Sequence, residues 1–203
     1  MKHDAWRMAL RRLGQQVLAP GADRRLGERL EKWVPGRAES PANLVLDLGS
    51  GSESRLSRLP RLGARSVAVD VSFPRVAAAA RAGAMAVVAS AVALPFRGDC
   101  FQAAVGVGLL HHLPDDEAAR AVREMARVTA VGGHTVVLDA VAPEPALRRP
   151  LAAIIRHFDR GRWMRRQQEI ESLLESPEAW TRERFTYALT GLEALVAQRR
   201  KES

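Results

Sequence analysis

Residues 46–54 read LDLGSGSES, and this stretch decides the fold. It continues the apolar run Leu44, Val45 and Leu46, which is short and stops at Asp47 and the glycines. A strand buried on both faces of a parallel sheet has that pattern. Gly49 and Gly51 permit a tight bend and let a ligand come close to the backbone. A helix predicted over residues 54–62 would offer its free N–H groups and positive dipole end to that ligand. A second apolar run, residues 66–71, carries Asp70 near its end, about 20 residues beyond Gly49. A carboxylate there can accept hydrogen bonds from ribose hydroxyls. The bland reading is a turn that merely needs glycine. Strand, helix, strand and acid in this order favour a cofactor of adenosine type, without saying which.

Working outward, the pattern of alternating strands and helices continues. Residues 74–82 read as a helix, 85–89 as a third strand, 103–107 as a fourth and 135–141 as a fifth. Between the last two, residues 115–129 form an amphipathic helix. Ala119, Val122, Met125, Ala126 and Val128 share its apolar face, and Arg120, Arg123, Glu124 and Arg127 lie opposite. Asp115 and Asp116 read as its N-cap and first turn. Five strands alternating with helices predict a parallel α/β sheet, doubly wound by right-handed crossovers. Before it, residues 5–34 read as two short helices, separated by Pro20-Gly21 and closed by Pro35-Gly36, with a polar linker over 37–42. After it, a helical stretch turns at Ser176-Pro177, and residues 183–188 and 192–197 read as two strands around Thr190-Gly191. The expected division is a helical cap over 1–40, a cofactor-binding core over 41–142, a helical insertion or lid over 143–180, and closing strands over 181–203.

The chain has 203 residues, 47% hydrophobic and 27% charged, which suits one domain and excludes disorder. One cysteine, Cys100, excludes an internal disulfide framework, and no Cys/His cluster has zinc spacing. A reduced cytoplasmic setting is expected. The charged first residues do not read as a secretory signal, and the longest mostly apolar stretch, 83–96, is too short to span a bilayer. The net charge of +8 favours acidic partners without choosing among nucleic acid, lipid surface and small molecules.

Five blocks carry a resemblance: VLDLGSGS, AVDVS, ALPFRGDCF, GLLHHLPDDEAARAVREMARV and GGHTVVLDA, in this order over residues 43–141. Together they resemble the class I S-adenosylmethionine-dependent methyltransferases of the small, single-domain kind. Nicotinamide dehydrogenases share the glycine turn but lack the LPF and HHLPD blocks. The resemblance implies a mostly parallel, seven-stranded Rossmann-like sheet with an antiparallel last strand. It implies that Asp47, Gly49, Ser50 and Gly51 hold the methionine end of the cofactor and that Asp70 takes the ribose. Val71 would meet the adenine face, with Ser90, Ala91 and Leu94 at the adenine edge. Gly106 and Val107 would lie under the sulfonium. Four positions depart from the family's pattern. Glu53 replaces a third glycine, Ser90 an acid, Gln102 an aspartate, and Val131 a proline before the Gly132-Gly133 turn.

His111 and His112 follow the fourth strand, where the acceptor would meet the methyl group. An imidazole suits a general base, and Asp139, at the end of the fifth strand, would orient it. The pair also reads as a structural feature of the loop; of the two, His111 is the candidate base. His134 and His157 read as surface or packing residues, Cys100 as a small buried thiol, and Met85 and Met125 as core. Trp6, Trp33, Phe158, Trp163 and Trp180 would either wall an acceptor pocket or anchor helices on the sheet. Arg156, Arg160, Arg162, Arg165 and Arg166 read as a solvated face, an anion clamp or a phosphate contact. The expected acceptor is a small molecule methylated on oxygen, with the chain a monomer or homodimer. The competing readings are an RNA methyltransferase, and a binding protein that keeps the fold with impaired catalysis.

Overall fold

Val45, Leu46, Asp47 and Leu48 are all buried in β1 (Leu44–Leu48), as a strand covered on both faces requires. The computed structural model describes residues 27–28, 44–52, 56, 65–142, 152, 161–186 and 192–202. In it β1 pairs in parallel with β2 (Arg65–Asp70) on one side and β4 (Phe101–Val107) on the other. β2 continues in parallel to β3 (Met85–Val88), and β4 to β5 (Thr129–Val141). β7 (Glu193–Arg200) runs antiparallel to both β5 and β6 (Thr181–Thr186). Among the described residues the sheet thus has seven strands in the order β3-β2-β1-β4-β5-β7-β6, with the last strand of the chain reversed. From β1 the chain winds first toward β3 and then, from β4, toward the opposite edge. The carboxyl ends of β1 and β4 therefore flank the switch point where ligands settle in such sheets.

α1 (Phe73–Arg81) has a proline in its first turn, where the missing N–H costs nothing, and buries Val76 and Ala79. α2 (Asp115–Val128) buries Ala118, Ala121, Val122, Met125 and Val128. The apolar face is therefore turned slightly from the expected one, and Ala119 and Ala126 lie half-buried at its flank. Pro114, not Asp115, is the N-cap; Asp115, Asp116 and Glu117 occupy the first turn, where carboxylates favour the helix dipole. At the other end Lys201 Nζ donates to the carbonyls of Ala126 at 3.2 Å and Thr129 at 3.0 Å. A cation there satisfies carbonyls left over by the helix. Phe101, Leu46, Leu48, Met125, Leu195 and Trp180 belong to the main core. Met85 does not: it stands 39% exposed on the edge strand β3.

β5 is longer than its sequence pattern suggests. Thr129 pairs with Phe101 and His134 with Ala103, so β5 spends more residues than β4 over the same step. The extra length is taken up at Gly132 (φ +79°) and Gly133, where a Cβ would stand 2.6 Å from Gln102 O and 2.8 Å from Ala130 O. This irregularity breaks the alternation of side chains, which is why residues 135–141 alone read as strand. β6 begins two residues before the expected 183, and β7 extends to Arg200 rather than 197. The expectations for most of residues 5–34, for 37–42, for most of 54–62 and of 145–158, and for Trp6, Trp33, Glu53, Arg156, His157, Phe158, Arg160, Thr190 and Gly191 lie outside the described residues.

Candidate functional site

The chain leaves β1 through a bend built by two glycines in the left-handed region, Gly49 (φ +71°) and Gly51 (φ +64°). Gly49 N–H and Ser50 N–H both donate to Val69 O, at 2.8 and 3.1 Å, which ties the bend to β2. A Cβ at Gly49 would fall 2.9 Å from Leu109 Cδ1, whereas a Cβ at Gly51 would meet nothing within 4 Å. The first glycine is needed by packing and backbone conformation, the second by backbone conformation beside open space. Asp47 is buried at the end of β1, and Ser50 is half-buried with its hydroxyl 3.4 Å from Gly51 O.

Asp70 ends β2 against this bend. One carboxylate oxygen accepts from Gly51 N–H at 3.1 Å and the other from Ser72 N–H at 2.9 Å. The Arg75 guanidinium lies 3.6 Å from it, largely exposed. Two N–H bonds leave acceptor capacity on a carboxylate, which has about four lone-pair sites. Beside it Val71 is 73% exposed, an apolar side chain next to a buried charge. Ser90 is exposed, in an isolated bridge with Ala93, Ala91 is half-buried, and Leu94 is buried. An open glycine bend, a carboxylate with spare acceptors and an exposed apolar face suit a nucleoside whose ribose meets Asp70 and whose base lies on Val71. The residues present fit the adenosyl cofactor that the sequence implies. Across the switch point, Gly106 is buried opposite Leu48 and Val107 is half-buried; neither brings a charge.

The loop beyond Ser90 is held by α2. Glu124 accepts from Leu94 N–H at 2.7 Å, and Arg127 donates to Phe96 O at 2.9 Å and Leu94 O at 3.2 Å. Arg127 also pairs with Glu124, at 2.6 Å. The hydrogen bond from Arg127 outweighs burial and holds the Glu124 carboxyl below its usual value. The sequence places both residues opposite the apolar face of the helix. Their opposite charges three residues apart predict only a local pair, not a support for a loop some thirty residues away.

His111 lies in the 3-10 turn Leu110–His112 that follows β4, and it is buried. Its Nδ1 pairs with Asp139 Oδ1, and its backbone N–H donates to Asp139 Oδ2 at 3.1 Å. Asp139 Oδ1 also accepts from Ala140 N–H at 2.7 Å, and the carboxylate is almost wholly buried. A neutral imidazole donating from Nδ1 to this carboxylate would satisfy the pair. His112 is exposed, its ring centroid 4.2 Å from that of His111. The structure thus brings His111, in the turn after β4, together with Asp139 on the neighbouring β5.

Other candidates fall elsewhere. Arg165 is neither solvated nor a clamp: it is buried and bonded to Asp115, with Nε–Oδ1 2.8 Å. Trp180 is core, while Trp163 is 37% exposed. Cys100 is half-buried rather than buried, its thiol 3.0 Å from Arg97 O, and burial pushes its pKa up, so it stays protonated. His134 is half-buried on β5; burial first, then Arg200, lowers its pKa.

The methyltransferase domain family matches residues 46–137. A demethylmenaquinone methyltransferase of Mycolicibacterium paratuberculosis is 39% identical over 107 residues, 53% of this chain and 46% of that protein. A probable tRNA methyltransferase 9B of Homo sapiens is 32% identical over 100 residues, 49% of this chain and 22% of that protein. The matched part therefore spans less than half the length of either curated relative. Among solved structures, the YcgJ protein from Bacillus subtilis has TM-score 0.66 at 18% identity, covering 88% of this chain and 98% of its own. The geranyl diphosphate C-methyltransferase of Streptomyces coelicolor A3(2), bound to S-adenosyl-L-homocysteine, has TM-score 0.68 at 12% identity, covering 88% and 80%. These structural likenesses establish the fold. Residues 46–137 thus match the methyltransferase domain family, on a fold that the solved methyltransferase structures share.

Proposed function

We propose that this chain transfers a methyl group from S-adenosylmethionine to the oxygen of a hydroxyl-bearing small molecule, with His111 as the base. The observation that carries this reading is the buried His111–Asp139 pair at the carboxyl ends of β4 and β5, across from the glycine bend. When bound, S-adenosylmethionine supplies a methyl already activated by a positive sulfur. Asp70 would accept from its ribose, and Val71, Ala91, Leu94 and Ser90 would border the adenine. Asp47, Gly49, Ser50 and Gly51 would hold the methionine end, and Gly106 and Val107 would bring no charge to the sulfonium. His111 Nε2 takes the hydroxyl proton, while Asp139 holds the tautomer and stabilises the resulting imidazolium. Placement of the acceptor supplies much of the remaining acceleration, for which ~7–11 kcal/mol is available.

The name of the mycobacterial relative supports a small-molecule acceptor of quinone type. The name of the tRNA methyltransferase relative, together with the charge of +8, favours RNA as the second reading. We place the activity in the cytoplasm, where the lone Cys100 thiol stays reduced. Among the described residues no helix is long and apolar enough to cross a membrane. The deciding assay supplies methyl-labelled S-adenosylmethionine with hydroxyaromatic acceptors, reduced demethylmenaquinone, or bulk tRNA, at rising salt. Label recovered on a small-molecule oxygen, with little salt dependence, supports the reading. Label on tRNA that falls steeply with salt replaces it with the RNA reading.

A further inference from the structure

His111 is held from a second side by a segment fifty residues further along the chain. Trp163 N–H donates to His111 O at 3.1 Å. Arg165 Nη1 donates to Leu110 O at 2.7 Å, and Nη2 to Leu113 O at 2.7 Å. These two carbonyls flank the turn that carries His111. The same guanidinium bonds Asp115, the first residue of α2, at 2.7 and 2.8 Å. Arg165 O accepts from Ala142 N–H at 2.8 Å, next to a parallel bridge with Val141 at the end of the strand that carries Asp139. A buried guanidinium is costly unless its donors are met. Here a planar fork with five donors is satisfied chiefly by the His111 turn and the helix after it, which a lysine could not match.

Gly161 completes the arrangement. A Cβ at this position would overlap His111 Cδ2, stand 3.0 Å from Cγ and 2.8 Å from His111 O. On another side, a Cβ at Gly108 would lie 3.5 Å from His111 Cε1. The imidazole is thus confined between two glycines, one of them on the later segment. The His111 ring and carbonyl leave no room for a Cβ at Gly161.

We infer that residues 161–165 form a positioning strap for His111. Gly161 lets the segment lie against the ring, and Arg165 locks the turn, so that Nδ1 stays on Asp139 and Nε2 keeps one direction. The inference deepens the proposed function and rests on it, since a fixed Nε2 matters because His111 is there read as the base. Gly161 and Arg165 are positioning residues: neither is required to touch cofactor or acceptor.

The test reads the ring itself. The full-length chain, labelled with ¹⁵N-histidine, is compared with Gly161→Ala, Arg165→Lys and Arg165→Met, the His111 signals being assigned through His111→Asn. The wild type should show a single Nδ1–H tautomer. In Gly161→Ala and Arg165→Met that tautomer should give way to a mixture as the carboxylate contact loosens. Arg165→Lys should restore the wild-type signature only in part. Calorimetric binding of S-adenosylhomocysteine confirms that each variant is folded. Gly161→Ala leaves the Arg165 network intact, so the test survives if Arg165→Met does not fold. An unchanged tautomer in folded Gly161→Ala overturns the strap. A disturbed ring with methyl transfer at the wild-type rate upholds the strap and removes His111 as the base instead.

Discussion

Two histidines on this sheet have opposite surroundings, and the difference decides what each can do. His111 pairs with the buried Asp139 carboxylate, an arrangement suited to a general base. His111→Ala should lower methyl transfer by about 10²–10⁴-fold, the usual reach of general-base catalysis, with cofactor affinity retained. Single-turnover rates beside cofactor titrations separate the two effects. His134 pairs with Gln198 and lies near Arg200, so burial and the neighbouring cation depress its pKa. The unfolded chain then takes up this proton first as pH falls, and stability drops from the ordinary histidine value down to the depressed one. His134→Asn should flatten that part of the stability–pH curve, measured by denaturant melts across it. The pairing of His111 with Asp139 was legible because His111 follows one strand, Asp139 lies near the end of the next, and neighbouring parallel strands bring such ends together. The burial of Arg165 was not, because in a run of arginines nothing marks the one that turns inward.

At the scale of elements, short-range pattern was readable and irregularity was not. α2 has helical period along its whole length, and its span matches the expectation to within a residue. The rotation of its buried face escaped because alanine is small enough for either side. β5 was half missed: its first residues carry Val131 and two glycines, which break strand alternation. That irregular step is nevertheless fixed by contact, since Gly133 lies against two carbonyl oxygens. Gly133→Ala should destabilise the fold by about 1–3 kcal/mol through overpacking, while Gly132 supplies the positive φ. Denaturant melts of Gly133→Ala read this directly, and a variant as stable as wild type would show that the step yields. The Glu124–Arg127 pair shows the same limit from another side. Spacing reveals the local ion pair, but its grip on residues 94–96 exists only after folding.

For the whole molecule, the winding order of the sheet places every cofactor candidate at one edge. Gly49 and Gly51 follow β1, Asp70 ends β2, Gly106 and Val107 end β4, and Asp139 lies near the end of β5. This convergence was readable from the order of the blocks, because parallel strands joined by right-handed crossovers put their carboxyl ends together. The nature of the acceptor was not readable, since it depends on how segments outside that shared core close over the site. The central claim is that this edge holds an adenosyl cofactor with Asp70 on its ribose. Charge-assisted hydrogen bonds of this kind contribute about 1.5–3 kcal/mol each, so removing the charge should cost at least about tenfold in affinity. The most direct measurement is isothermal calorimetry of S-adenosylhomocysteine against the wild-type chain and Asp70→Asn. Saturable one-to-one binding that weakens tenfold or more in Asp70→Asn is predicted; no heat from the wild type at millimolar ligand, or equal affinity in the two proteins, would contradict it.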